Sequence, residues 1–174
     1  MEEQTQIFQR HFKMTNGRKV FVEKLTELME KDEKVVLLLG DVGFSFLEPL
    51  MKTYPNRVIN CGIAEQNMMG VATGFAIEGW KPYVYTMANF IFSRPHEFVR
   101  NDICYQNKNV KLFGVSGSAA YKFLGFSHNF TEDEDIRTLK EFPNITCYVP
   151  DSEEEAKDLM EQEYQRLGPS YIRL

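Results

Sequence analysis

Several features that mark special classes of protein are scarce or absent in this sequence of 174 residues. It has only three cysteines, Cys61, Cys104 and Cys147, and no CxxC pair. This set predicts neither a disulfide framework nor a structural zinc site, and we expect reduced thiols in a cytoplasmic protein. The N-terminus has no signal-peptide pattern, and no apolar run approaches about eighteen residues, so we expect neither secretion nor a membrane span.

Positively charged residues are also fewer than negatively charged ones. The formal net charge is -5, with 20 Lys and Arg against 25 Asp and Glu. Such a chain has no basic field with which to hold a nucleic-acid backbone, so we expect no nucleic-acid partner. Neither the GxGxxG nor the GxxxxGK[ST] motif occurs, which excludes the usual loops that cradle phosphates. A single anionic small molecule remains possible, since it needs only local donors.

What the chain does have is a regular alternation of apolar runs and amphipathic segments. The run VVLLL is apolar throughout, as in a strand that is covered on both faces of a parallel sheet. Further strands are predicted at RVIN, PYVYTM, VKLFGV, ITCYV and SYIRL. Helices are predicted between them, at residues 20–29, 46–53, 64–78, 95–105, 132–140 and 152–167. The pattern predicts an α/β fold, a three-layer α/β/α domain over residues 15–174 with a six-stranded mainly parallel sheet, after a polar leader at 1–14.

The loops after the predicted strands form the candidate site, because ligands of such sheets bind outside the carboxyl ends of the strands. These loops open with Asp41, Cys61, Met87 and Ser116. Glu65 lies in the same region, in the first turn of a predicted helix. The helix dipole alone accounts for an acid at this position. However, the residues around Glu65 in the sequence offer no positive partner, so we expect a desolvated carboxyl that keeps a proton available.

Three other side chains near strand ends are candidates for contact with a ligand, and the first two of them also have a purely structural interpretation. Phe90 follows a strand, and it could pack in the core or stack on a ligand. Arg94 could bind a ligand or form a surface ion pair with Glu97 or Asp102. His128 lies in a long loop after a predicted strand, where polar contacts to a ligand are plausible.

Beyond this point, seven segments occur in a fixed order from about Arg18 to the end of the chain. They are GDVGFS, RVINCGIAEQNMMGVATGFAIEGWKPYVYTMANFIFSR, HEFVRNDI, GFSH, ED, PNITCYVPDSEEE and GPSYIRL. This series resembles the pyrimidine-binding domain of transketolases, and the pattern NxGIAEQxM is highly specific. The sequence is similar over the same span to the C-terminal subunit of split transketolases, to deoxyxylulose-phosphate synthase and to β subunits of 2-oxoacid dehydrogenases.

The resemblance implies thiamine diphosphate as the cofactor and assigns roles to four residues. In the family, the glutamate of the IAEQ motif, here Glu65, hydrogen-bonds a ring nitrogen of the aminopyrimidine. Sharing of that proton promotes removal of the proton from C2 of the thiazolium ring. Phe90 matches the phenylalanine that stacks on the pyrimidine, and Arg94 completes the F-x-x-x-R spacing, so both are expected in cofactor binding. Asp41 matches an acid near the cofactor.

The resemblance also implies a sugar substrate. Arg18 and Ser45 match residues that bind a sugar phosphate, and His128 matches a catalytic histidine that contacts donor and acceptor hydroxyls. Two departures concern the same part of the site. Leu124 replaces an aspartate that reads a substrate hydroxyl, and Ser116 replaces a phosphate-binding histidine. These departures favour an unusual or unphosphorylated sugar as a hypothesis.

The sequence lacks one half of the expected site. It has no GDG followed at a distance by Asn, the pattern by which thiamine diphosphate enzymes hold Mg²⁺ and the diphosphate. We therefore expect a diphosphate-binding partner subunit that holds Mg²⁺, in a heterotetramer with two copies of each chain. The leading hypothesis is a transketolase-like subunit for two-carbon ketol transfer. A β-type subunit of a 2-oxoacid-converting enzyme and a non-catalytic assembly module with the same fold remain as alternatives.

Overall fold

The computed structural model describes residues 17–43, 46–115 and 133–174. Strands and helices alternate through these ranges. The strands are β1 Val35–Leu39, β2 Val58–Asn60, β3 Lys81–Met87, β4 Lys111–Val115, β5 Thr146–Tyr148 and β6 Ser170–Arg173. The helices are α1 Gly17–Lys31, α2 Glu48–Thr53, α3 Glu65–Ile77, α4 Ala88–Phe92, α5 Glu134–Lys140 and α6 Glu153–Gln165. A π-helix at Phe98–Tyr105 lies between α4 and β4.

The strands form one sheet in the order β2-β1-β3-β4-β6-β5, and every strand pair in it is parallel. This confirms the α/β class and the six predicted strands. β1 pairs with β2 on one side and with β3 on the other, so the direction in which strands are added reverses at β1. Such a reversal opens a crevice at the carboxyl ends of the central strands, where ligands bind in this class of sheet.

Two apolar layers cover the sheet. On one face, Phe21 of α1 packs against Tyr85 and Phe113, with ring centroids 4.9 Å and 4.6 Å away. On the other face, α3 and the π-helix pack on the neighbouring strand positions, including Val84 and Leu112. Alternate residues of a strand point to opposite faces, so a strand covered on both sides must be apolar at every position. This is why VVLLL is buried along its whole length.

A buried charge cluster, formed by Lys111, Glu163 and Arg166, lies at the amino ends of β4 and β6. The Lys111 ammonium donates to Glu163 Oε2 at 3.2 Å, and Arg166 Nε donates to Glu163 Oε1 at 2.8 Å. Burial lowers the pKa of Lys111 to about 8. Burial opposes ionisation of Glu163, but hydrogen bonds from Arg166 and Tyr148 and the charge of Lys111 lower the pKa of Glu163 to about 2. The cluster ties α6 to the sheet far from the candidate site.

The segment between β3 and β4 differs from the expected single helix at 95–105. The short helix α4 starts directly after β3, and the helix that follows is a π-helix rather than an α-helix. At its end the amide of Lys108 donates to the carbonyl of Ile103 at 2.8 Å, a bond across five residues. α4 lies close over the sheet, because a Cβ added to Gly114 of β4 would be only 2.9 Å from the Cα of Ala88.

Candidate functional site

The candidate site lies where the carboxyl ends of three neighbouring strands meet. Asp41 follows β1, Asn60 ends β2, and α4 with Phe90 follows β3. Glu65 is the first residue of α3, the helix that the chain enters after β2. The structure therefore places three of the predicted residues, Asp41, Glu65 and Phe90, on neighbouring segments at one edge of the sheet.

Asn60 connects the loop after β1 with the segment that leads into α3. Its side-chain oxygen accepts hydrogen bonds from the backbone amides of Asp41, at 3.2 Å, and of Gly62, at 2.9 Å. Its side-chain amide donates to Asp41 Oδ1 at 3.0 Å. Asp41 and Gly62 both have positive φ angles, 55° and 70°, so each loop turns sharply where Asn60 holds it. No role was predicted for Asn60 from the sequence, although it is the first residue of the NxGIAEQxM pattern.

Glu65 is buried, with 4% of its surface exposed, and it has an ion-pair partner. Arg94 Nη1 donates to Glu65 Oε1 at 2.8 Å. The expectation of a carboxyl without a positive partner was therefore wrong. The partner comes from 29 residues further along the chain, beyond β3 and α4, and it reaches Glu65 because β3 and α4 bring the chain back beside the start of α3.

Arg94 also lies over an aromatic ring. Its guanidinium carbon is 3.7 Å from the centroid of the Phe90 ring, which is the geometry of a cation–π contact. The backbone carbonyl of Arg94 accepts a hydrogen bond from the side chain of Gln66 at 3.3 Å. The alternative of a surface ion pair with Glu97 or Asp102 is not what the structure has, since the charged partner is Glu65.

Glu65, Phe90 and Arg94 form one connected set of contacts near the start of α3. The guanidinium of Arg94 is a flat, nitrogen-bearing group that lies against the Phe90 ring and donates an N–H to the Glu65 carboxylate. Met87, the last residue of β3 and three residues before Phe90, is apolar and 9% exposed. A flat heteroaromatic ring with a hydrogen-bonding nitrogen fits the same pair of contacts: an apolar face for stacking and a carboxyl at its edge.

The other predicted site residues fall into two groups. Arg18, in the first turn of α1, has its guanidinium 5.8 Å from the ring centroid of Phe46, which lies in the loop after β1. Arg18 is therefore at the same edge of the sheet as Asp41. Ser45 and His128 lie outside the residues that the structure describes, and so do the departures at Leu124 and Ser116.

A second group of buried polar side chains stands at the carboxyl end of β6. Tyr171 Oη donates to Asp135 Oδ2 at 2.5 Å, and Arg173 Nη1 donates to Asp135 Oδ1 at 3.1 Å. Burial beside the Asp135 carboxylate raises the pKa of Tyr171 well above its ordinary value. These bonds fix the start of α5 against β6. They were not predicted, because the three side chains, taken separately in the sequence, are typical of a core tyrosine and two surface charges.

Among residues 17–43, 46–115 and 133–174, no cluster of three or more His, Cys, Asp or Glu side chains is arranged to hold a metal ion. Within the same ranges, no helix has both the length and the apolar character needed to cross a membrane.

Comparison with known proteins gives a consistent result. The family described as "Transketolase, pyrimidine binding domain" matches residues 13–174. The chain is 34% identical to a subunit of the apulose-4-phosphate transketolase of Actinobacillus succinogenes over 156 residues, which are 89% of this chain and 50% of that protein. It is 31% identical to a 6-deoxy-6-sulfo-D-fructose transketolase subunit of Clostridium sp. strain MSTE9 over 158 residues, 90% of this chain and 48% of that protein.

Among solved structures, a split-gene transketolase described as an inactive β4 tetramer superposes with a TM-score of 0.79 at 34% identity. The match covers 91% of this chain and 50% of that one. The chain thus spans about half the length of the curated relatives that it matches.

Proposed function

Because this chain belongs to the transketolase pyrimidine-binding domain family, we propose that it supplies the pyrimidine half of a thiamine diphosphate site for two-carbon ketol transfer between sugars or sugar phosphates. The observation that carries the proposal is the buried Glu65 carboxyl at the start of α3, next to the Phe90 and Arg94 pair. A buried acid can hydrogen-bond an aminopyrimidine, and a nearby aromatic ring can stack on it.

Glu65 is the proposed catalytic residue of this chain. When bound, thiamine diphosphate supplies a carbon nucleophile for the transfer of a two-carbon unit. Glu65 holds and shares a proton at the edge of the pyrimidine ring, in a site where burial makes the hydrogen bond stronger than it is in water. Phe90 orients the ring by stacking and excludes water from one of its faces. Asp41, held by Asn60, borders the same space, and His128 is proposed to contact substrate hydroxyls.

A partner subunit is part of the proposal. The described ranges contain no metal-binding cluster, and the sequence has no motif for Mg²⁺ and diphosphate. Two relatives are named as transketolase subunits, and a split-gene relative is described as an inactive β4 tetramer. These names support a second chain that brings Mg²⁺ and the diphosphate site. We propose a heterotetramer with two copies of each chain, inside the cytoplasm.

The donor sugar is proposed to differ from the common pentose and hexose phosphates. Leu124 and Ser116 stand where transketolases carry two polar substrate contacts, and two relatives are named for apulose 4-phosphate and for a sulfonated deoxyfructose. Arg18 and Ser45 are retained and would receive an anionic end of the sugar. If the assembled enzyme used xylulose 5-phosphate as efficiently as an ordinary transketolase does, this part of the proposal would be wrong.

The central test combines this chain with a diphosphate-binding partner subunit and follows ketol transfer. Glu65→Gln keeps the size of the side chain and removes its exchangeable acidic proton, so we expect a loss of activity of about 100-fold or more, with assembly intact. Assembly is measured by size-exclusion chromatography with light scattering. The matched control is Glu78→Gln, an exposed acid just past the other end of α3, and it should leave activity unchanged. Full activity of Glu65→Gln would contradict the assigned role.

A further inference from the structure

Arg94 makes both of the contacts that the proposed aminopyrimidine also needs. Its guanidinium is flat, lies 3.7 Å from the centroid of the Phe90 ring and donates an N–H to Glu65 at 2.8 Å. One face of Phe90 and one oxygen of Glu65 cannot serve two flat groups at the same time. We propose that the Arg94 guanidinium occupies the pyrimidine subsite when no cofactor is bound. There it stabilises Glu65 until the pyrimidine ring displaces it. This inference rests on the proposed function.

The position of Arg94 allows the side chain to leave while its backbone stays in place. It lies between the end of α4 and the π-helix, and its carbonyl is held by Gln66. The preceding amide, of Ser93, donates to the carbonyl of Asn89 at 3.0 Å. By contrast, 42% of the Arg94 side chain is exposed, whereas only 3% of the Glu65 side chain is. Rotation about the side-chain bonds is therefore enough to move the guanidinium into solvent.

The ion pair with Arg94 offsets the cost of burying the Glu65 carboxylate. A buried carboxylate without a partner is costly, so a chain that holds Glu65 ready needs a cation beside it. Departure of Arg94 would free the Glu65 oxygen that it now contacts, so that this oxygen could hydrogen-bond the edge of the pyrimidine ring instead. Arg94 is thus a positioning residue that acts through Glu65.

Thiamine alone is a suitable probe, because it carries the aminopyrimidine and lacks the diphosphate that the partner subunit is proposed to hold. Its binding to this chain is measured by calorimetry or by ligand-observed NMR. Arg94→Ala removes the competitor, and Arg94→Lys keeps the charge but loses the flat guanidinium. The matched control is Arg100→Ala, since Arg100 is exposed and its Nε donates to the adjacent Asn101. The thiazole fragment of thiamine, which has no pyrimidine, is the control ligand.

A second readout follows Arg94 itself. The Nε–Hε signal of Arg94 in the unchanged chain should be shifted by the ring current of Phe90, and Phe90→Leu should abolish that shift. Thiamine should move the signal towards the position of a free arginine, while the thiazole fragment should not. This measurement does not depend on the stability of Arg94→Ala.

Competition predicts that Arg94→Ala binds thiamine about five- to tenfold more tightly than the unchanged chain does, with Arg94→Lys in between and Arg100→Ala unaltered. If thiamine binds Arg94→Ala no more tightly than the unchanged chain, only the present inference fails. Weaker binding to Arg94→Ala would show in addition that Arg94 is a ligand of the cofactor. If thiamine binds none of these chains while the Arg94 signal still carries the Phe90 shift, the proposed function of the subsite fails, and the competition fails with it.

Discussion

Asn60 is a single residue on which two loops of the candidate site depend. It bonds the amides of Asp41 and Gly62 and the carboxylate of Asp41, so it joins the end of β1 to the start of α3. Glu65 is only three residues beyond Gly62. The position of the Glu65 carboxyl therefore depends on an amide side chain that takes no part in the proposed chemistry.

Asn60→Ala should lower the free energy of unfolding by about 1–2 kcal/mol, because it removes hydrogen bonds that are individually modest and partly solvated. Urea unfolding monitored by circular dichroism measures this change. Asn56→Ala, in the exposed turn before β2, is the control and should stay within about 0.5 kcal/mol of the unchanged chain. Equal effects of the two substitutions would show that the Asn60 bonds contribute no stability.

At the residue scale, the sequence predicted where the candidate side chains lie better than it predicted their contacts. Asp41, Glu65 and Phe90 were placed at one edge of the sheet because each follows a strand end. The Glu65–Arg94 ion pair was missed, because the two residues are 29 positions apart and their contact depends on how α4 ends. An apolar neighbourhood in the sequence does not exclude a cation that arrives from another segment.

At the scale of elements, the placement of α4 depends on a glycine in the strand below it. Gly114 lies in β4, and a Cβ added there would meet the side chain of Tyr171 as well as the backbone of Ala88 at 2.9 Å. α4 starts at Ala88 and carries Phe90 two residues later. The absence of a side chain at Gly114 therefore lets the helix that presents Phe90 lie close to the sheet.

Gly114→Ala should destabilise the chain by about 1–3 kcal/mol, since the added methyl group forces α4 and Tyr171 away from β4. Gly74→Ala is the matched substitution on α3, where an added Cβ meets no atom within 4 Å. It should stabilise the chain by about 0.5–1 kcal/mol, because alanine favours a helix interior over glycine. Thermal unfolding of the two variants measures the effects. Changes of the same sign would contradict the close packing of α4.

The strands and the long helices were predicted well from the apolar patterns of the sequence. Strands buried on both faces must be apolar throughout, and α1 and α6 show helical periodicity over many residues. The short helix α4 was not predicted, because its five residues follow β3 directly, with no turn residue between the strand and the helix. The π-helix was predicted only as an ordinary helix, since its changed hydrogen bonding leaves no clear mark in the apolar spacing.

At the scale of the whole molecule, the buried charge cluster of Lys111, Glu163 and Arg166 links stability to acidity. The ordinary pKa of a glutamate side chain is near 4.5, and that of Glu163 in the folded chain is lowered to about 2. The unfolded chain therefore binds a proton at this residue first as the solution is acidified. The stabilising contribution of Glu163 is complete above about pH 4.5 and is lost as the pH falls towards 2.

The predicted loss is about 2–3 kcal/mol of unfolding free energy between about pH 5 and pH 2, since each unit of pKa difference contributes about 1.4 kcal/mol. Urea unfolding at a series of pH values and constant salt measures it. Glu163→Gln should flatten this acid dependence. Glu161→Gln should change it much less, because Glu161 is 40% exposed and its ion pairs with Lys24 and Lys31 are screened by solvent. Identical acid profiles for Glu163→Gln and the unchanged chain would contradict the prediction.

The buried charge cluster lies at the amino ends of the strands of the sheet, and the candidate site lies at their carboxyl ends. Lys111 begins β4 and Val115 ends it, a separation of about 13 Å at the usual rise of a strand. Residues that far apart, with no shared contacts, contribute additively to the free energy of folding. Substitutions around Glu163 can therefore change the thermal stability of the chain without altering the surroundings of Glu65. In this fold, stability and the candidate site can be engineered independently.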